Sequence, residues 1–298
     1  MANADMGRAE RAADEKPGFP EKTWFRRASV VFLGTGGAFS AGRRGNPGLL
    51  IEAPGFRMLA EAGPVVVQQL ARADLQATDV ERLFVTHGHG DHVLGFPMLA
   101  LNRAGAATPL HVYGGPNTLD TLQTLGTLAF SGLREHLRNV HWHEVSEIAP
   151  DETALAPGVV MRTVVVPYPP GVPTLAARWN FASGPSLTYV TDTFPNAAAV
   201  ELARDSDLLI HEASYSAVLQ PGADPAAHFH STAQQAGEVA RQAGCRRLAL
   251  VHLGPEIGEQ PEVLVEEARA GMDLEVIVPE DGERIYVKPK SQVPKPKG

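Results

Sequence analysis

The chain has a single cysteine, Cys245, among its 298 residues. That excludes an intrachain disulfide and any cysteine-built zinc site, so a bound metal would have to rest on histidine and carboxylate. Nowhere does the sequence approach the roughly 18 to 20 consecutive apolar residues needed to cross a bilayer. The first 28 residues mix charges without the apolar core of a signal peptide. No membrane association is expected, and a cytoplasmic location is the default. The chain also lacks a basic surplus. Its formal net charge of −8 argues against a protein that tracks nucleic acid over a broad basic face, because phosphate binding draws its affinity from clustered Lys and Arg.

What is present is the composition of a globular protein, with 44% hydrophobic and 20% charged residues and length enough for one large domain or two small ones. Residues 1–27 are polar, carry Pro17 and Pro20 without a clear period, and read as a flexible N-terminal extension. Residues 28–287 read as one domain. Residues 288–298 place Lys288, Lys290, Lys295 and Lys297 among prolines, the pattern of a flexible basic tail. Within the domain, short strands are expected at 29–33, 49–52 and 57–60, then a helix after Gly63-Pro64 and a buried strand over 83–86. Periodicity predicts further helices at 93–104, 116–130, 194–203, 232–243 and 261–271. Strands are predicted near 110–113, 159–166, 186–190, 207–211, 247–252 and 274–278. In the helix at 232–243, Ser231 or Thr232 can act as the cap, and Ala233, Ala236, Val239 or Ala240, and Ala243 form a narrow small-residue face suited to close packing.

Several of the eleven histidines stand where apolar runs stop: His87 after Leu-Phe-Val-Thr, His211 after Leu-Leu-Ile, His252 after Leu-Ala-Leu-Val. Strand ends are where a rigid scaffold presents chemistry. The densest cluster is His87-Gly88-His89-Gly90-Asp91-His92, three imidazoles and a carboxylate within six residues. Residues two apart on a loop can converge on one point, and nitrogen with carboxylate oxygen suits zinc, manganese or iron. Gly88 and Gly90 allow the backbone to fold tightly around an ion. His87 and His89 would serve a first ion, with Asp91 and His92 pointing to a second.

The segment Thr86-His87-Gly88-His89-Gly90-Asp91-His92 resembles the metal motif of the metallo-β-lactamase superfamily, and the similarity extends over nearly all of residues 29–287. Phe32-Leu33-Gly34-Thr35-Gly36 resembles its opening strand and turn, and Val112-Tyr113-Gly114-Gly115-Pro116 a later turn. Glu61-Ala62-Gly63 resembles the Asp-x-Gly element, with Glu61 where aspartate is usual. The resemblance implies a four-layer αβ/βα sandwich of two mixed sheets flanked by helices, with the metals at one end. It further implies that Asp192, in Thr191-Asp192-Thr193, bridges two divalent ions, and that His252, in Val251-His252-Leu253, completes the second site. Zinc is the expected metal, with manganese or iron open. His211-Glu212-Ala213 and His230-Ser231-Thr232 are similar to elements of the ribonuclease Z and arylsulfatase-like phosphodiesterase branch. There His230 would be the non-ligand histidine near the scissile group, oriented by Glu212. Dimers are common in such families, which leaves a homodimer open.

Two departures shape the expected function. Where that branch places a third histidine for the first metal, this chain reads Val164-Val165-Val166-Pro167-Tyr168-Pro169-Pro170, with Tyr168 in the histidine's place. The first site is then one ligand short. Water or a weakened ion, a Tyr168 phenolate, or a stray histidine such as His141, His143 or His228 would account for it. Secondly, Tyr168 and Asp192 are only 24 positions apart, too close for the long tRNA-binding insertion that some relatives of this kind carry between them. The expectation is a hydrolase using a metal-bound hydroxide, with Asp91, Glu212 and His230 in catalytic roles, on a small or short phosphodiester and not on tRNA. Hydrolysis of an ester, thioester, lactone or sulfate ester, or a non-hydrolytic metal-binding or iron redox role on the same fold, stay open as alternatives.

Overall fold

Along the first strand, β1 (Ser29–Gly34), Val30 and Phe32 point to one face and Val31 and Leu33 to the other, and all four are buried. A strand buried on both faces belongs to a sheet covered on each side, which is why this segment reads as a continuous apolar run. The computed structural model describes residues 27–39, 43–130, 135, 137–271 and 273–289. The expected N-terminal extension up to residue 26 and the tail from residue 290 lie outside the described residues.

The next strands are β2 (Gly48–Ala53), β3 (Phe56–Ala60), β4 (Arg82–Phe84), β5 (Leu110–Gly114) and β6 (Val140–Glu144). With β14 (Arg284–Tyr286) they form a seven-stranded sheet in the order β14-β1-β2-β3-β4-β5-β6. The second sheet also has seven strands. It comprises β7 (Asp151–Ala156), β8 (Val159–Val166), β9 (Thr174–Phe181), β10 (Ser186–Val190), β11 (Leu208–Glu212), β12 (Arg247–Val251) and β13 (Glu275–Ile277), in reverse order from β13 to β7. Both sheets are mixed. β1 to β3 are antiparallel and β3 to β6 parallel, while β7 to β10 are antiparallel and β10 to β13 parallel.

The sheets face one another across an apolar layer that includes Phe32, Ile51, Met58, Phe84, Trp179 and Tyr189. Phe84 and Trp179 meet edge to face at 5.8 Å, a geometry that contributes about 0.5–1.5 kcal/mol beyond burial. On the outside of the first sheet, α1 (Val66–Arg72), α3 (Phe96–Asn102) and α4 (Pro116–Ala129) bury Leu70, Phe96 and Leu122 against Val31, Leu50 and Leu83. On the outside of the second lie α5 (Ala197–Ala203), α6 (Ala233–Gln242) and α7 (Pro261–Arg269). This is the αβ/βα sandwich expected from the sequence.

The departures are local. The helix expected over 93–104 is two: α2 (Gly90–Val93) and α3. The break falls where Gly95 donates its N–H to the carbonyl of Ala62, so near the Glu61–Gly63 turn that a Cβ on Gly95 would stand 2.1 Å from the carbonyl oxygen of Gly63. The helix expected from 194 starts at Ala197, because the Asn196 side chain accepts the Ala199 N–H as an N-cap. Strands β6, β7, β9 and β14 were not anticipated. β6, β7 and β14 are sheet edges with partly exposed positions, and β9 interrupts its apolar run with Arg178 and Asn180.

Thr232 caps α6 through a capping box with Gln235. Its small-residue face does what the sequence suggested, and Gly237 comes closest of all: a Cβ there would lie 1.9 Å from the carbonyl oxygen of Ala268 on α7. Two effects of opposite sign compete in Gly237→Ala. Helix propensity favours alanine by about 1 kcal/mol, whereas pushing two backbones apart in a packed layer costs about 1–3 kcal/mol. The clash is with backbone, which cannot rotate away, so we expect net destabilisation. It should read as a lower urea midpoint at unchanged m-value, and a raised midpoint would show that α7 yields freely.

Candidate metal centre

The sheets place their functional residues just past the carboxyl ends of the strands. β3 ends at Ala60 and delivers Glu61. β4 ends at Phe84 and leads through Val85 and Thr86 to His87. β10 leads through Thr191 to Asp192, β11 ends on Glu212, and β12 is followed by His252. Parallel register keeps the second-sheet exits level, since Val190 pairs with His211 and His211 with Leu250. Three of these residues turn the chain through left-handed backbone: Glu61 at φ 69°, Asp192 at φ 43° and His252 at φ 58°. Such angles cost a non-glycine residue on the order of 1 kcal/mol or more and tend to gather at functional sites.

Potential ligand atoms converge in three groups, each within 4.8 Å: His87, His92 and Asp192; Asp91, His92 and His252; and Asp192, His230 and His252. His92 Nε2 stands 3.3 Å from Asp91 Oδ2 and 3.3 Å from Asp192 Oδ1. His252 Nε2 stands 3.2 Å from Asp91 Oδ2 and 3.3 Å from Asp192 Oδ1. His87 Nε2 is 3.7 Å from Asp192 Oδ2. The Nε2 atoms of His87 and His92 are buried and have no hydrogen-bond partner. Buried imidazole nitrogens are rarely left unpaired, and here they point toward carboxylates without bonding to them. That is the disposition of ligands aimed at a shared centre, and a set of nitrogen and carboxylate oxygen fits a divalent ion such as zinc.

The electrostatics agree. Burial alone would raise the carboxyl pKa values of Asp192 and Asp91. His252 and His92 outweigh it at Asp192, and His92 and then His252 at Asp91, so both acids are held well below the usual carboxylate range. Burial would likewise lower His92 and His252, but the carboxylates prevail, Asp192 foremost. His92 is raised well above its ordinary value and His252 to about 9. His87 goes the other way, lowered by burial and by His92. The cradle is thus a pocket of negative potential lined with imidazole.

His89 stands apart: among the described residues it joins none of the three groups. Its Nδ1 lies 3.3 Å from the Tyr168 hydroxyl, which donates to Asp192 Oδ2 at 2.9 Å. Burial and the Asp192 charge push the Tyr168 phenol far above its ordinary value, which favours the protonated hydroxyl that donates to Asp192. The stray histidines do not fill in. His143 bonds to His111 and stacks on Tyr113, His141 packs edge-on to His111, and His228 stacks on Tyr215. His211 is buried with Nδ1 on the Glu212 backbone carbonyl at 2.8 Å.

Beside the cradle, His230 Nδ1 sits 3.0 Å from Glu212 Oε1. Glu212 does more than hold that ring. Its Oε1 accepts the backbone N–H groups of Thr193 and Ser231, and its Oε2 accepts the backbone N–H and hydroxyl of Ser214. Ser214 was not foreseen, yet its Oγ also lies 2.9 Å from His252 Nδ1, tying the two histidine loops together. Its position at the exit of β11 was the available clue. Thr86, whose hydroxyl is 3.0 Å from His87 Nδ1, was likewise read only as part of the motif. Phe229, at φ 58°, walls the His230 side, its ring 6.2 Å from Tyr168 and 6.0 Å from Phe194.

Residues 56–253 match the family model described as Beta-lactamase superfamily domain. Ribonuclease Z of Halorubrum lacusprofundi is 30% identical over 308 residues, spanning 87% of this chain and 96% of that protein. Those 308 aligned positions outnumber the whole chain although only 87% of it takes part, so that relative has positions without a counterpart here. The metallo-beta-lactamase fold protein YhfI from Bacillus subtilis superimposes with a TM-score of 0.72 at 20% identity, over 87% of this chain and 99% of its own. The short form of human tRNase Z does so at 0.69 and 22%, over 87% and 99%.

Because Glu212 joins three loops through donors on both oxygens, Glu212→Gln should strand at least one buried donor against an amide N–H₂. We expect a loss of about 1–3 kcal/mol, seen as a fall in urea midpoint. An unchanged midpoint would mean that the loops hold without it.

Proposed function

The chain belongs to the beta-lactamase superfamily and is a metal-dependent hydrolase, and from that premise we propose that the bond it cleaves is a phosphodiester, in a small or short substrate. The observation that carries this reading is the Glu212–His230 pair beside the cradle, with Nδ1 of His230 turned to Glu212 Oε1 at 3.0 Å. A ring whose Nδ1–H is held by a carboxylate presents Nε2 outward, and in its doubly protonated form the Nε2–H is the proton it can give to a leaving oxygen, the ring returning to the neutral Nδ1–H form on Glu212. An alkoxide departing from phosphorus needs that proton.

Two divalent ions, zinc being the favoured metal, would be held by His87, His89 and Asp192 on one side and by Asp91, His92, Asp192 and His252 on the other. When bound they would supply Lewis acidity and lower the pKa of water. The chain's own groups do the remainder. Glu61 Oε2, 3.3 Å from His92 Nδ1, and Thr86, beside His87 Nδ1, orient the imidazoles from behind. Asp91 faces both His92 and His252, and Ser214 steadies His252 against the Glu212 carboxylate. Phe229 and Phe194 shelter the His230 side from water.

A small or short substrate is supported by the charge of −8 and by the run between Tyr168 and Asp192, which β9, β10 and their connections use up. The test is direct. Metal-replete protein should cleave bis(p-nitrophenyl) phosphate faster than a matched p-nitrophenyl ester, and His89→Ala and Asp91→Ala should abolish that cleavage while far-UV circular dichroism is unchanged. Faster turnover of the ester, or accurate 3′ cleavage of precursor tRNA with salt-sensitive tight binding, would overturn the assignment.

The ligand supply on the two sides is unequal. Where a third imidazole would complete the first side, Tyr168 offers a hydroxyl already committed to Asp192. We therefore expect metal per chain, measured by elemental analysis, to drop by about half under mild chelation. Tyr168→His should protect that labile fraction, tightening it by at least the ~10- to 100-fold typical of changes behind the ligands. Two ions lost together, with or without the substitution, would refute the asymmetry.

A further inference from the structure

We propose that His111, His141 and His143 form a separate site for a borderline divalent transition-metal ion at the β5–β6 edge of the first sheet. Three observations converge on it. The first is placement. In the parallel register His111 pairs with His141 and Tyr113 with His143, so residues two apart on β6 and one on β5 project from the same face of the pleat. That face is the inner one, since Tyr113 belongs to the layer between the sheets, while Trp142, on the opposite face, packs on Phe96. Among the described residues β6 has no strand beyond it, which leaves the cluster accessible from the rim.

The second is distance. His111 Nδ1 and His143 Nε2 are 2.9 Å apart. Two imidazole nitrogens sharing one tetrahedral ion, each at ~2.0–2.1 Å from it, stand about 3.3 Å apart. A displacement of a few tenths of an ångström turns the pair into two ligands. The exposed His141 ring lies edge-on to His111 at a centroid distance of 5.0 Å; the three rings do not yet bring their nitrogens within 4.8 Å of one another, so His141 would turn about its side-chain bonds to supply the third. The last observation is protonation. Burial lowers the pKa of both His111 and His143; His143 and then His141 depress His111 further, and His141 does the same to His143. Both shifts favour the neutral ring, the form that donates a lone pair to a metal. Arg82, level with His111 on β4, is the nearby cation. It is turned aside to Glu81 and to the carbonyl of Leu155.

This site is distinct from the Asp192 cradle. His111 is level with Arg82 and His143 with Phe84, whereas the cradle begins beyond the carboxyl end of β4. Copper(II) is the probe of choice because it heads the affinity series for nitrogen ligands. Full-length protein is first saturated with zinc, freed of excess, and titrated with copper(II) at neutral pH while released zinc is measured. One equivalent of copper should bind without zinc release and show nitrogen hyperfine structure in its electron paramagnetic resonance spectrum. His143→Ala should weaken this equivalent by at least about tenfold. His141→Ala, a change at an exposed position that leaves the fold intact, should alter the spectrum, with phosphodiester hydrolysis as in the unmodified protein. Copper taken up only as zinc leaves, no added equivalent at micromolar metal, or a spectrum identical in His141→Ala and His143→Ala would each overturn the proposal.

Discussion

A carboxylate almost without solvent must be neutralised by what surrounds it, and the working end of this protein is built around that demand at Asp192. Its oxygens meet His87, His92 and His252, take the Tyr168 hydroxyl at 2.9 Å and the Thr191 hydroxyl at 2.6 Å, and are otherwise sealed. Burying a charge in this way is tolerated only when it is paired. The partners come from the exits of β4, β8, β10 and β12, so removing any one loosens a constraint shared by both sheets. The φ of 43° at Asp192 belongs to the same demand: the backbone accepts an unfavourable turn to bring the carboxylate inward.

The second organising carboxylate works differently. Glu212 is satisfied mostly by backbone and hydroxyl donors, with His230 Nδ1 beside its Oε1. It ties together three segments, the exits of β10 and β11 and the loop before α6, and His230 is held against them. The cradle and the His230 side are thus held by separate networks that touch through Ser214.

The inner strands were legible because both sheets are covered on each side and these strands are apolar on both faces, whereas the layered architecture followed from the resemblance carried by the His87 to His92 motif. Three of the four edge strands, β6, β7 and β14, were illegible for the opposite reason: they are partly exposed and interrupt their apolar residues with polar or charged ones, so nothing in their pattern announces a strand. At the site, the six residues from His87 to His92 announce themselves by density and His252 stands where an apolar run stops, while Asp192 was singled out by the resemblance. Ser214 could not be read this way. A lone serine carries no spacing signal, and its importance arises only when β11 and β12 bring it beside His252. The left-handed turns at Glu61, Asp192 and His252 were equally silent, since none of these residues is a glycine.

β14 returns from the second half of the chain to the outer edge of the first sheet, where Tyr286 pairs with Ser29 and Arg284 with Val31. The two strands at the ends of the domain therefore lie side by side and antiparallel, with their outward-leading ends adjacent. Tension applied through those ends would load this ladder like a zipper, opening its hydrogen bonds one after another and not all together in shear. The first element to yield to a pulling machine would be a three-residue edge strand, and its loss would expose β1 while leaving the strand ends around Asp192 in place.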